Sequence, residues 1–269
     1  MTGPIAQLIA LSLYGNAYQQ GEKITDFFQH STAHYCKHII FSQLQKNMLG
    51  KFEAKLIYDN PNVFLEKMSE TPTQFTVYYQ PKSTKDGLDE MTSAAFIGGG
   101  GRWNLVSSHT NAVSVWTANW NVIDKDNPDN RIWGVNYVKT SDSSLYNESD
   151  EKYIDAFYTA LEKVYHFTVT KNDSAFADNF KNAMTTLDSK GKTLFGYHKD
   201  LVPSCYKSIE YLLDACQSAW VFGGMMSWND VYFEDDAVFE EYKSVSKELY
   251  SSLITTIIQS VNSVVDKNK

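Results

Sequence analysis

Residues 92–123 read TSAAFIGGGGRWNLVSSHTNAVSVWTANWNVI, and this run decides the fold class. Apolar and small polar side chains alternate along it in short stretches, broken by four glycines at 98–101 and by His109-Thr110-Asn111. Alternation with period two marks strands that bury one face, and Gly- or Asn-rich breaks mark the turns between them. The run predicts an antiparallel meander with strands at 92–97, 103–108 and 112–123, continued after a polar turn at 124–130 by a strand at 132–140.

Upstream, Phe52, Ala54, Leu56 and Tyr58 alternate with polar residues, and residues 74–80 form a second such run ended by Pro81. Both read as strands, with a polar loop at 81–91. Helical spacing appears at Ile5, Leu8, Ile9 and Leu13, and Asn60-Pro61 opens a short helix through Met68. A longer helix is expected from Thr25 or Asp26 to about Met48, closed by Gly50. From residue 149 onward the pattern is helical. Ser149, Asp173 and Ser204 are the expected caps of three helices. A last helix runs from Asp235 or Asp236 to Val265, on the stripe Tyr242, Val245, Leu249, Leu253, Ile257, Val261 and Val264.

Strands grouped in the middle with helices at both ends exclude alternating βαβ units. The expected class is α+β: a mostly antiparallel sheet over about residues 52–140, flanked by N-terminal helices and packed against C-terminal helices. The chain of 269 residues fits a single domain, 1–269, with a candidate sub-boundary at the Ser- and Asp-rich residues 141–149.

A formal charge of −8 supplies no excess of Lys and Arg to neutralise phosphates, which argues against nucleic acid as a partner. No stretch approaches the ~18 apolar residues of a membrane helix. Residues 4–13 are apolar but lack the positive start and small-residue cleavage site of a secretory signal. Cys36, Cys205 and Cys216 form no CxxC pair; Cys205 and Cys216 read as small core residues of one helix, and the sparse odd count suits reduced thiols in the cytoplasm.

Arg102 is the only formally charged side chain in residues 92–123, a run that also holds Trp103, Trp116 and Trp120, with Trp133 on the next strand. Such a charge-poor aromatic sheet is either covered by helices on both faces or built for contact. The candidate binding residues are Arg102, Trp103, Trp116, Asn119, Trp120, Asn121 and Trp133, with Trp228 at the junction 222–230. Trp116 and Trp120, four apart, should share one face of their strand, leaving Asn119 and Asn121 on the other.

Motifs for chemistry are absent. The glycines before Arg102 lead into a strand, unlike a phosphate loop. His30, His34 and His38 would form a stripe on the expected helix, but without HExxH and spread over ~12 Å of axis they make no convincing metal site. No metal or cofactor is expected, and no nucleophile elbow is present. Residues 230–248 carry seven acidic side chains and two Lys, a face suited to a basic partner. These features point to a non-enzymatic, cytoplasmic protein-binding protein. In general character it resembles bacterial immunity proteins, which hold a toxin inactive in the cytoplasm. The alternative is a hydrolase with its site at the sheet edge near Arg102.

Overall fold

The alternating runs of the middle region do become strands. The structure, a computed structural model, describes residues 1–46, 51–81, 100–109, 112–140, 152–171, 175–191, 198–223 and 226–266. Its six strands are β1 (Cys36–Lys46), β2 (Phe52–Tyr58), β3 (Gln74–Gln80), β4 (Arg102–His109), β5 (Ala112–Val122) and β6 (Trp133–Thr140). They form one sheet in the order β2-β1-β6-β5-β4-β3. Every junction is antiparallel except β1–β6, which is parallel. The chain makes a hairpin, crosses through a helix to the far edge, and returns as a meander that brings β6 against β1. The strand expected at 92–97 and the sub-boundary at 141–149 lie outside the described residues.

One element differs in kind from the sequence expectation. The long helix from Thr25 or Asp26 to Met48 does not form. Asp26 caps only a 3-10 turn, Phe27–Gln29, accepting from the Phe28 amide at 2.9 Å, and a second turn, Ser31–Ala33, follows. The chain then extends as β1. Ile39, Ile40 and Phe41 are β-branched or aromatic residues that suit a pleated surface. Ile39 and Phe41 point into the core, and β1 pairs with β6 from Cys36↔Trp133 to Gln43↔Lys139. One expected cap also differs: Ser204 begins a 3-10 turn rather than an α-helix, and Cys205 in that turn is exposed, unlike the buried Cys36 and Cys216. The expected caps Ser149 and Asp173 lie outside the described residues.

The helices are α1 (Gly3–Gln19), α2 (Pro61–Ser69), α3 (Tyr153–Thr170), α4 (Ala177–Ser189), α5 (Glu210–Ala219) and α6 (Asp236–Asp266). Helices α1, α2 and α6 pack on one face of the sheet. Helix α1 is buried nearly all round, as its apolar sequence requires. Of its buried polar side chains, Gln7 donates to the Thr32 carbonyl at 3.0 Å and accepts from the Tyr137 hydroxyl at 3.0 Å, while Ser12 Oγ is buried with no hydrogen-bond partner among the described residues. Phe41 stacks on Phe64 of α2 at 3.8 Å between ring centres and lies 5.2 Å from Tyr137. Full burial of each such ring is worth about 1.5–3 kcal/mol. Helices α3, α4 and α5 add a second helical layer around α6.

The two edges of the sheet are finished differently. At β3, Asn16 of α1 donates to the Phe75 carbonyl at 2.7 Å and accepts from its amide at 2.9 Å. Asn262 of α6 does the same for Val77, at 3.0 and 2.8 Å. Two carboxamides therefore stand where the next strand would be. At β2 every residue from 52 to 57 is exposed. Among the described helices none is long and apolar enough to cross a membrane.

Candidate functional site

The candidate residues fall into three places. Trp116 and Trp228 are core. Trp116 is buried under the helical layer, donates through Nε1 to Ser107 Oγ at 2.9 Å, and has the Lys139 ammonium 5.7 Å from its ring centre. Trp228 lies away from the sheet in an aromatic cluster with Phe167, Phe176, Phe180 and Tyr242, its Nε1 donating to Ser246 Oγ at 2.7 Å. Neither side chain reaches the surface.

Arg102 and Trp103 open β4 near the β3 edge. Gly100 has φ of +74° and Gly101 leaves no room for a Cβ, which would stand 2.4 Å from the Tyr79 hydroxyl. Gly100 and Gly101 thus serve a tight entry into β4. Arg102 is exposed opposite Gln80, while Trp103 packs on Tyr79 at 4.9 Å.

Asn119, Trp120, Asn121 and Trp133 come together where β5 ends and β6 begins. The period-two pattern holds: Asn119 and Asn121 are exposed on the face turned away from the helices, opposite Asn136 and Gly134. Trp120 and Trp133 turn to the other side, half-buried, with ring centres 6.1 Å apart. The Trp120 Nε1 is buried with no hydrogen-bond partner among the described residues. Three residues missed at the sequence level complete the patch. Tyr35 is 58% exposed, Val122 40% and Ile123 45%. Tyr35 joins through its carbonyl, which accepts from the Trp133 amide at 3.1 Å, and its ring meets His34 edge-on at 4.9 Å. Gly134 lets His38 and Ile123 close over β6, since a Cβ there would stand 2.7 Å from His38 Nε2 and 2.9 Å from Ile123 Cδ1. The ion pair Lys37–Asp124, 2.9 Å, sits at the margin. This end of the sheet thus carries amides on one face and half-buried aromatics on the other, with an ion pair at its margin, and uncharged aromatic and amide side chains are the residue types of a protein contact.

The histidine stripe dissolves with the helix that would have carried it. His38 lies on β1, His34 on Tyr35, and His30 is buried. Among the described residues no three of His, Cys, Asp and Glu converge on a point that could hold a metal ion. Sequence reading also missed a cluster that looks catalytic by residue type. Ser31 Oγ is 2.8 Å from His198 Nδ1 and donates to Asp200 Oδ1, while the Ser31 amide donates to Asp200 Oδ2 at 2.8 Å. Burial opposes ionisation of Asp200, but the two hydrogen bonds from Ser31 outweigh it and hold its carboxyl below the ordinary 3.8. The serine proton therefore belongs to Asp200, and His198 Nδ1 must donate to the serine oxygen. That polarity is the reverse of nucleophile activation, where the imidazole accepts from serine. The cluster ties the Ser31–Ala33 turn to residues 198–200, which lie 167 positions on. No short-range sequence signal marks it.

The Cys205 thiol is pushed up to about 11 by partial burial and by Glu22, and burial raises Cys36 to about 11. An open cleft of about 390 Å³ beside β3 is lined by residues including Asn16, Gln74, Val265 and, as the titratable group among the described residues, His109. Its Nδ1 already pairs with Thr73 Oγ1 at 2.9 Å. The chain matches no protein-family model, no curated protein and no solved structure.

Proposed function

We propose that this chain is a non-enzymatic protein-binding protein of the cytoplasm, and that it recognises its partner through the β5–β6 end of the sheet. The observation that carries the reading is the uncharged end of the sheet, where Asn119 and Asn121 are exposed on one face, Trp120 and Trp133 are half-buried on the other, and Tyr35, Val122 and Ile123 are exposed beside them. Large aromatic and aliphatic side chains supply area, and amides adapt their hydrogen bonds to an irregular surface. The net charge of −8 draws in a partner of basic character over long range. Part of the acidic stretch is internally engaged, with Glu240, Glu241 and Glu248 bridged to Lys243, Lys171 and Lys163. Specificity therefore rests on the uncharged patch, and the acidic field contributes rate. An immunity-type inhibitor, covering the working surface of a basic toxin, is the specific form this reading takes. The three free cysteines fit a reducing compartment.

The test is affinity purification from the native host, comparing the wild-type chain with Asn121→Lys/Val122→Asp. A stoichiometric protein that co-purifies with the first and is lost from the second supports the reading. A partner retained by both places recognition elsewhere.

A further inference from the structure

β2 is an edge strand with an unusual pattern. Phe52, Ala54 and Leu56 alternate on the face turned away from the helices, in register with Lys46, Leu44 and Ser42 of β1. Glu53 and Lys55 occupy the other face, opposite Gln45 and Gln43. Phe52 is 64% and Leu56 53% exposed. The pairing slips between Phe41 and Ser42, which leaves Ile57 without a partner and confines the regular strand to residues 52–56. The opposite edge is closed by Asn16 and Asn262, whereas residues 52–57 are exposed along β2. An exposed edge strand offers alternate N–H and C=O groups to another strand.

We propose that β2 pairs antiparallel with β2 of a second copy, about a two-fold axis at Ala54, so that two six-stranded sheets become one. The occupant follows from the residues. With the axis at Ala54, Phe52 lies across from Leu56 of the other copy and Glu53 across from its Lys55, and each relation occurs twice. Both pairings are favourable cross-strand contacts. Shifting the axis to Lys55 sets lysine against lysine, and shifting it to Glu53 sets glutamate against glutamate. Half-residue shifts place the apolar positions opposite charged ones. Only one register sets Glu53 opposite Lys55 while joining the apolar side chains. The small Ala54 at the axis leaves space for the 42% exposed Leu44 behind it, so Leu44, Phe52 and Leu56 from two copies form one apolar cluster. Charges on an edge strand discourage casual strand addition; here their order admits a second copy in one register and disfavours other partners. The contact is isologous, as a closed dimer requires. It uses a different part of the sheet from the β5–β6 patch, so either assignment stands if the other fails.

The experiment is sedimentation velocity at about 1–100 µM, a span that separates weak from firm association. The wild-type chain should sediment as a dimer. Glu53→Lys and Lys55→Glu each turn two attractive pairs into repulsive ones and should weaken the dimer about tenfold or more. An equimolar mixture of the two variants, and the double swap Glu53→Lys/Lys55→Glu, should restore it. Both positions are exposed, so the melting temperature of each variant verifies that it is folded. Ala54→Cys in a Cys205→Ser background should oxidise to a covalent dimer, because opposed residues in an antiparallel pair are about 4.5–5.5 Å apart between Cα atoms and within disulfide reach. A wild-type chain that stays monomeric throughout overturns the proposal, as does a variant mixture that fails to reassociate.

Discussion

Asn262 of α6 treats Val77 of β3 as a neighbouring strand would, accepting from its amide at 2.8 Å and donating to its carbonyl at 3.0 Å. Asn16 repeats the device two residues earlier, at Phe75. A helix thus finishes an edge that would otherwise leave backbone groups buried without partners.

Asn262→Ala should therefore cost about 1–3 kcal/mol, the penalty for leaving buried backbone polar groups unpaired. Asn16→Ala should cost a similar amount. Urea denaturation of both variants checks this. Midpoints within error of wild type would mean that water satisfies the β3 edge unaided.

Trp116 and Asn119 sit on opposite faces of β5, and their substitutions should separate accordingly. Trp116→Ala removes a buried ring and its bond to Ser107, with an expected loss of about 3–5 kcal/mol. Asn119→Lys and Asn121→Lys are surface changes and should stay within about 0.5 kcal/mol. Thermal melts of the three variants measure the contrast. Unfolding by Asn119→Lys would contradict the exposure of that face.

Acidification should destabilise the fold before the bulk of the carboxylates titrate. Burial holds His30 and His198 below their ordinary 6.5, and for His30 it outweighs the opposing pull of Asp200. The unfolded chain then takes up protons first as pH falls. Stability is fully present above 6.5 and is lost as pH drops from there through the lowered folded values. Asp200, held below 3.8, adds a second loss under that pH by the same sign. Melting temperatures should fall between about pH 7 and pH 5, and His198→Gln should reduce that slope. A flat profile in this window would rule out the assigned histidine environments.

Several of these relations are legible in the sequence. The four-residue spacing of Trp116 and Trp120 places them on one face, and period two then assigns Asn119 and Asn121 to the other. The three-to-four spacing from Tyr242 to Val264 gives α6 nearly to the residue. β1 is not legible, because residues 36–46 satisfy two periods at once. What decides it is pairing with β6, as in the 2.8 Å bond between Ser42 and Asn136, 94 residues apart. Ser31, His198 and Asp200 are likewise assembled only in space. Trp228 carries no periodic signal, and only the fold reveals its place among Phe167, Phe176 and Phe180.

The central claim is that the β5–β6 end of the sheet makes the partner contact, and amide hydrogen exchange of the purified complex tests it most directly. Exchange in the free chain and in the complex should differ most at residues 119–123 and 133–136, with slower exchange on binding. The Asn121→Lys/Val122→Asp chain should lose that protection along with the partner. Protection confined to residues 102–108 or to the acidic start of α6, with residues 119–123 unchanged, would contradict the account.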